Sequence, residues 1–152
     1  VSHLNDVGFW DLMKFSTGPV IASHSYCRAV YPINRNLDDE QIKAIAERGG
    51  VIGMNAIKYI LGVENEAERI SKLCDHIDHI VSLVGAEHVD LCNNCMDVLR
   101  KADTPKSDYD ALYNHSEATL ITEELIKRGY AEEDLQKIMG GNFLRVYGTV
   151  LK

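Results

Sequence analysis

Residues 19–55 read PVIASHSYCRAVYPINRNLDDEQIKAIAERGGVIGMN, and the fold follows from this stretch. Two short apolar runs, at 19–24 and 50–55, each end in polar residues and are bounded by glycine or proline, which is the pattern of buried strands. Between them Asn36 or Asp38 can cap a helix, and Asp39 and Glu40 fill its first turn. Ile42, Ile45 and Ala46 form one face, and Gly49 stops the helix. A strand, a helix and a second strand in this order predict a parallel pair joined by a right-handed crossover.

The unit repeats outward from this stretch. Ile70, Leu73, Cys74, Ile77, Ile80, Val81 and Val84 recur at steps of three and four, predicting a long amphipathic helix that ends at Gly85; a third apolar run, VDLCNN, follows at 89–94. On the other side, VSHL at 1–4 reads as the last residues of a strand, followed by a helix over residues 6–14. After Asn94 a polar stretch, 97–114, reads as a long loop over a site. Two helices closing at Gly129 and Gly140 then precede a short final helix, NFLRVYG. Alternation of this kind places the chain in the α/β class with a parallel sheet, although the pattern alone fits either a barrel or an open sheet.

Composition narrows the function classes. The 152 residues are 45% apolar and 26% charged, an ordinary globular balance for one domain. The net charge of −7, with no Lys/Arg stripe to neutralise phosphates, argues against a nucleic-acid partner. No apolar run approaches the roughly 18 residues needed to span a bilayer. The four cysteines (Cys27, Cys74, Cys92 and Cys95) fall mostly within predicted elements, unlike a disulfide-stapled scaffold, and point to a reducing compartment such as the cytoplasm. Cys92 and Cys95 form an isolated CxxC, which without a second such pair is weak evidence for zinc or redox chemistry.

Candidate chemistry centres on His3 and His24, each preceded by serine and each at the C-terminal end of a predicted strand. In parallel α/β folds that rim is where sites are built, and neutral imidazoles from neighbouring strands can converge on one zinc ion. Two hydrogen-bonded histidines at strand ends remain the plainer alternative. The DHIDH run at 75–79 looks like a metal cluster, but on a helix whose buried face is Ile77, Ile80 and Val81 its polar residues read as solvated or capping. His88 and His115 have no evident partners. Gly140 and Gly141 read as a helix stop and restart, because no strand precedes them as in a phosphate loop.

An ordered set of segments carries a resemblance. SHLNDVGFWD, GPVIASHS, RNLDDEQIKAIAERGGVIGMN, DHIDHIVSLVGAEHV and TEELIKRGYAEEDLQKIMGGNFLRV together resemble the back half of the membrane (renal) dipeptidase family of zinc metallopeptidases, across nearly the whole chain. The resemblance implies a TIM-like (β/α)8 barrel, of which residues 1–152 would form a single partial domain: the fifth to eighth strand-helix units and the terminal helices. It implies hydrolysis of dipeptides at a binuclear zinc centre, with His3 and His24 holding one zinc and Arg35 binding the substrate carboxylate. A guanidinium fork suits that carboxylate, although Arg35 pairing with Asp38 or Asp39 is the structural alternative.

The last strand departs from the family pattern. Where members carry a GxGxDFDG-like run, this chain has DLCNNCMDV, so Asn94 stands at the catalytic and substrate-binding place of an aspartate. An amide cannot take a proton as a carboxylate does. Asp90 and Cys92, on the same face by alternation, replace glycines, and a buried carboxylate there would be costly without a partner. The family's HxD motif and bridging glutamate belong to earlier strands. The chain alone is therefore expected to be inactive, to hold at most one partial zinc site, and to need the N-terminal half of the barrel or a homodimer for closure. A non-catalytic dipeptidase-like homologue acting as a binding module, and another metal-dependent amidohydrolase, are the alternatives.

Overall fold

The computed structural model of this protein describes residues 1–92, 111–112 and 115–151. The elements run α1 (Asp6–Phe15), β1 (Ile21–Ala22), α2 (Asp39–Glu47), β2 (Val51–Met54), α3 (Lys58–Leu61), α4 (Arg69–Val84), β3 (Val89–Leu91), α5 (Ala118–Lys127), α6 (Glu132–Gln136) and α7 (Asn142–Val150). The three strands form a parallel sheet in chain order, with Ile21 opposite Val51, and Ile52, Gly53 and Met54 opposite Val89, Asp90 and Leu91. The expected α/β class and parallel pairing are thus present.

The helices form where the sequence places their signals. Asp38 caps α2 by accepting from the Gln41 amide, while the Gln41 side chain accepts from the Asp38 amide, a reciprocal capping box. Gly49 and Gly85 end α2 and α4 with φ of 67° and 93°. Ile42 and Ile45 of α2, and Leu73, Cys74, Ile77 and Ile80 of α4, are fully buried with Val51, Ile52 and Met54 of β2. Burying such aliphatic side chains contributes roughly 1.5–3 kcal/mol each.

Several elements differ from expectation. The strands are two to four residues long, shorter than the six-residue apolar runs, because Ser23 and His24 turn away as soon as β1 ends. Residues 1–4 form a turn closed by Leu4 N–H on the Val1 carbonyl instead of a strand, though the Val1 nitrogen still donates to Ile21 O at 2.8 Å beside β1. Helix α3 was not anticipated; its four residues bury Ile60 and Leu61.

The DHIDH residues are structural, and His76 is a core residue rather than a solvated one. With no exposed surface, its Nδ1 accepts from the Cys27 amide at 3.0 Å and its Nε2 donates to Leu61 O at 3.0 Å. The Tyr26 ring lies against it with centroids 4.5 Å apart. Asp75 and Asp78 both accept from Arg128, and His79 meets Asp39 at 2.7 Å.

Beyond α6 the chain breaks at Met139 and Gly140, the latter with φ of 128°, and restarts as α7, the anticipated stop and restart. Asn142 Nδ2 donates to Ala86 O and Val89 O, and Arg145 donates to Gly49 O and Glu87 O. Asp90, fully buried, accepts from the Phe143 amide at 2.8 Å. Through Oδ2 this carboxylate caps the first turn of α7, while its buried Oδ1 has no partner. Asn94, Cys95 and most of the predicted loop lie outside the described residues.

Candidate metal centre

The C-terminal end of β1 presents Ser23 and His24, and residues 1–4 bring Ser2 and His3 alongside. His3 Nε2 and His24 Nε2 stand 2.8 Å apart, with ring centroids at 4.8 Å and planes inclined by 58°. Twenty-one residues apart in sequence, the two imidazoles aim the same nitrogen at one point. Burial, then the positive charge of Arg35, then His3 lower the pKa of His24, so its ring is held neutral, the form that ligates metal.

The serines preceding both histidines form the surroundings of His24. Ser23 Oγ lies 2.7 Å from His24 Nδ1, and the His24 amide donates to Ser2 Oγ at 2.9 Å. The two hydroxyls are 3.5 Å apart. The repeated Ser-His pair is visible in the sequence, but the contacts that give the serines a role are not.

Arg35 reaches the same rim. It donates through Nη2 to His24 O at 2.9 Å and through Nη1 to Ser25 Oγ at 3.4 Å, while its buried Nε has no partner. The alternative of pairing with Asp38 or Asp39 is not realised, because Arg28 takes Asp38 together with Asp6, and His79 takes Asp39. With both acids occupied, Arg35 turns its Nη atoms to His24 O and Ser25 Oγ.

No cluster of three or more His, Cys, Asp or Glu side chains able to hold a metal occurs among the described residues. The two imidazoles therefore suit two positions of a zinc coordination shell and leave it incomplete. The cysteines offer little: burial pushes the Cys27 thiol well up, the Cys74 thiol up to about 12 and the Cys92 thiol up as well, so none is a ready thiolate. His88, for which the sequence suggested no partner, sits 2.9 Å from Gly50 O through Nδ1.

Comparison with known proteins gives a consistent picture. Residues 1–152 match the sequence profile of the membrane dipeptidase family (Peptidase family M19). The chain is 30% identical to human Dipeptidase 3 over 152 residues, covering all of this chain and 30% of that protein. It is also 30% identical to a Klebsiella pneumoniae protein described as uncharacterized and lying in the pqqA 5′ region, covering 99% of this chain and 54% of that one. Among solved structures it resembles a Rhodobacter sphaeroides metallo peptidase liganded with a phosphinate mimic of the dipeptide L-Ala-D-Ala. That match has a TM-score of 0.79 and 27% identity, over 97% of this chain and 40% of that one. The probable dipeptidase PvdM from Pseudomonas aeruginosa matches with a TM-score of 0.77 and 25% identity, over 97% and 49%. The chain spans about half or less of the length of these relatives.

Proposed function

The chain belongs to the membrane dipeptidase family, and from that premise we propose that it is the half of a zinc-dependent dipeptidase barrel that carries the fifth to eighth strand-helix units. The observation that carries this reading is the convergence of His3 Nε2 and His24 Nε2 at 2.8 Å on the rim where barrel enzymes build their sites. His3 and His24 would hold one zinc of a binuclear centre. The chemistry that zinc supplies in such a centre is polarisation of a carbonyl and acidification of water. Arg35, whose guanidinium lies against His24 through Nη2, would receive the carboxylate of a dipeptide and fix its free end. Asn94 would occupy the place of the family's aspartate and, as an amide, hydrogen-bond substrate without taking a proton.

The remaining ligands would come from the first strands of the barrel, in the same polypeptide or a second chain. Support for a sheet that continues comes from its edges: no strand among the described residues covers the outer side of β1 or β3. Next to β1, a groove of about 520 Å³ is lined by Val1, Leu12, Phe15, Pro19, Val20 and Ile21. Phe15 is 83% exposed, a large apolar area for a surface residue. An N-terminal half-barrel fits this face, and a homodimer closing the same edge is the other arrangement.

Titration of the metal-free protein with zinc, followed by the imidazole resonances of His3 and His24, tests the reading. Both rings are expected to shift together, and His3→Ala or His24→Ala to abolish the response. Zinc uptake unaffected by either substitution would remove the assignment. A non-catalytic binding role is the second reading, favoured by Asn94 standing where a carboxylate is expected.

A further inference from the structure

We infer that Ser23 is a positioning residue that holds His24 in the Nδ1–H tautomer, leaving Nε2 bare toward His3; this rests on the reading of His24 as a metal ligand. A free neutral histidine prefers to carry its proton on Nε2, the nitrogen that here faces the site. That preference must be reversed if Nε2 is to offer a lone pair. The Ser23 hydroxyl, 2.7 Å from Nδ1, is placed to accept an Nδ1–H and so reverse it.

The neighbouring groups accommodate this direction of the bond. The His24 amide donates to Ser2 Oγ at 2.9 Å, so Ser2 is already an acceptor and its own proton is free. The nearest side-chain acceptor recorded for it is Ser23 Oγ, at 3.5 Å, the outer limit of such a contact. Ser23 then receives from both Ser2 and His24 Nδ1, and a loop of hydrogen bonds closes on one histidine. On the other side of the ring, a bare His24 Nε2 would accept from His3 Nε2–H across 2.8 Å; the contact is as short with the proton on His24, so the assignment rests on the Ser23 contact. The reverse assignment, Ser23 donating to Nδ1, would put the His24 proton on the nitrogen facing the site. The backbone supports the placement as well: Ser25 N–H donates to Gly53 O, fixing the strand end from which Ser23 projects.

The test uses histidine-selective ¹⁵N labelling and long-range ¹H–¹⁵N correlation on the metal-free protein at about pH 8, where an ordinary histidine is neutral. The native protein is expected to show His24 protonated at Nδ1, and Ser23→Ala to move the proton toward Nε2, with Ser23→Thr restoring the native pattern. A native His24 protonated at Nε2, or a pattern unchanged in Ser23→Ala, overturns the inference. The native spectrum alone decides the first point even if the alanine variant fails to fold. Zinc titration of the same samples gives the second readout, with affinity in Ser23→Ala expected to fall about 10- to 100-fold and to recover in Ser23→Thr. A native protein that takes no zinc while its tautomer still follows Ser23 upholds the positioning role and removes the metal reading. Zinc bound equally by the native and Ser23→Ala proteins overturns the positioning role and leaves the metal reading standing.

Discussion

Position 76 holds a histidine whose pKa burial lowers to about 4, and position 90 an aspartate whose pKa burial raises to about 6 against the opposing pull of the Phe143 amide. Their effects on stability run in opposite directions. As pH falls below the ordinary histidine value, the unfolded chain takes up a proton that folded His76 refuses until about 4, so its contribution is complete near neutrality and lost between pH 6.5 and about 4. Folded Asp90 keeps its proton up to about 6 while the unfolded chain releases it near 3.8, so its contribution is present in acid and lost as pH rises through that window. Asp90→Asn keeps an acceptor for the Phe143 amide and removes the ionisation. We expect this variant to be more stable at pH 7–8 by roughly 1–2 kcal/mol. Its stability should also fall more steeply than the native protein's between pH 6.5 and 4, as read from urea midpoints across that range. Parallel pH profiles would contradict it. The burial of Asp90 was legible from strand alternation, its partner Phe143 was not; His76 was not legible either, because DHIDH looks the same whether it faces solvent or the core, and only the partners Cys27 N and Leu61 O distinguish them. His24 stands just past the end of β1 as the pattern suggests, whereas His3 lies in a turn and not at a strand end, so their juxtaposition depends on packing that the pattern does not show.

The strands are held in place by an absence of side chain at position 53. A Cβ on Gly53 would lie 2.2 Å from the Ser23 carbonyl oxygen and 2.6 Å from Cys92 Cβ, with backbone on one side and the neighbouring strand end on the other. Gly53→Ala is therefore expected to cost about 3 kcal/mol in chemical denaturation and to weaken zinc binding through the displaced Ser23–His24 segment. Loss of stability with zinc affinity intact would show that the rim adjusts independently of the sheet. Helix boundaries were readable because caps and stops are local: Asp38, Gly49 and Gly85 act within a turn of where they stand. Strand ends were not, since the apolar runs continue past the hydrogen-bonded ladder into rim residues such as Asn55, which is buried by tertiary contacts. Helix α3 escaped notice for a related reason, its four residues being too few for a periodic pattern.

At the scale of the molecule, alternating strands and helices predicted the parallel α/β class, whereas the proposed closure into a barrel would need strands beyond the three among the described residues. The purified chain with added zinc is expected to hydrolyse dipeptides no faster than buffer. Supplying the N-terminal half-barrel of a family member in trans should bring activity above background, and Asn94→Asp in that assembly should raise kcat by orders of magnitude. Turnover by the chain alone would refute the need for closure, and an unchanged kcat in the variant would place Asn94 away from the chemistry.

The attachments of α7 gather toward the ends of β2 and β3 where those strands begin: Gly49, Ala86, Glu87 and Val89 bond to Asn142 and Arg145, and Asp90 accepts from Phe143. The histidines stand where β1 finishes, at the other end of a parallel sheet. A fluorophore or surface linker joined at Leu144, 73% exposed between these anchors, would therefore sit at the end of the sheet away from the two histidines. The protein can be immobilised or labelled there while the rim that carries His3 and His24 stays open to solution.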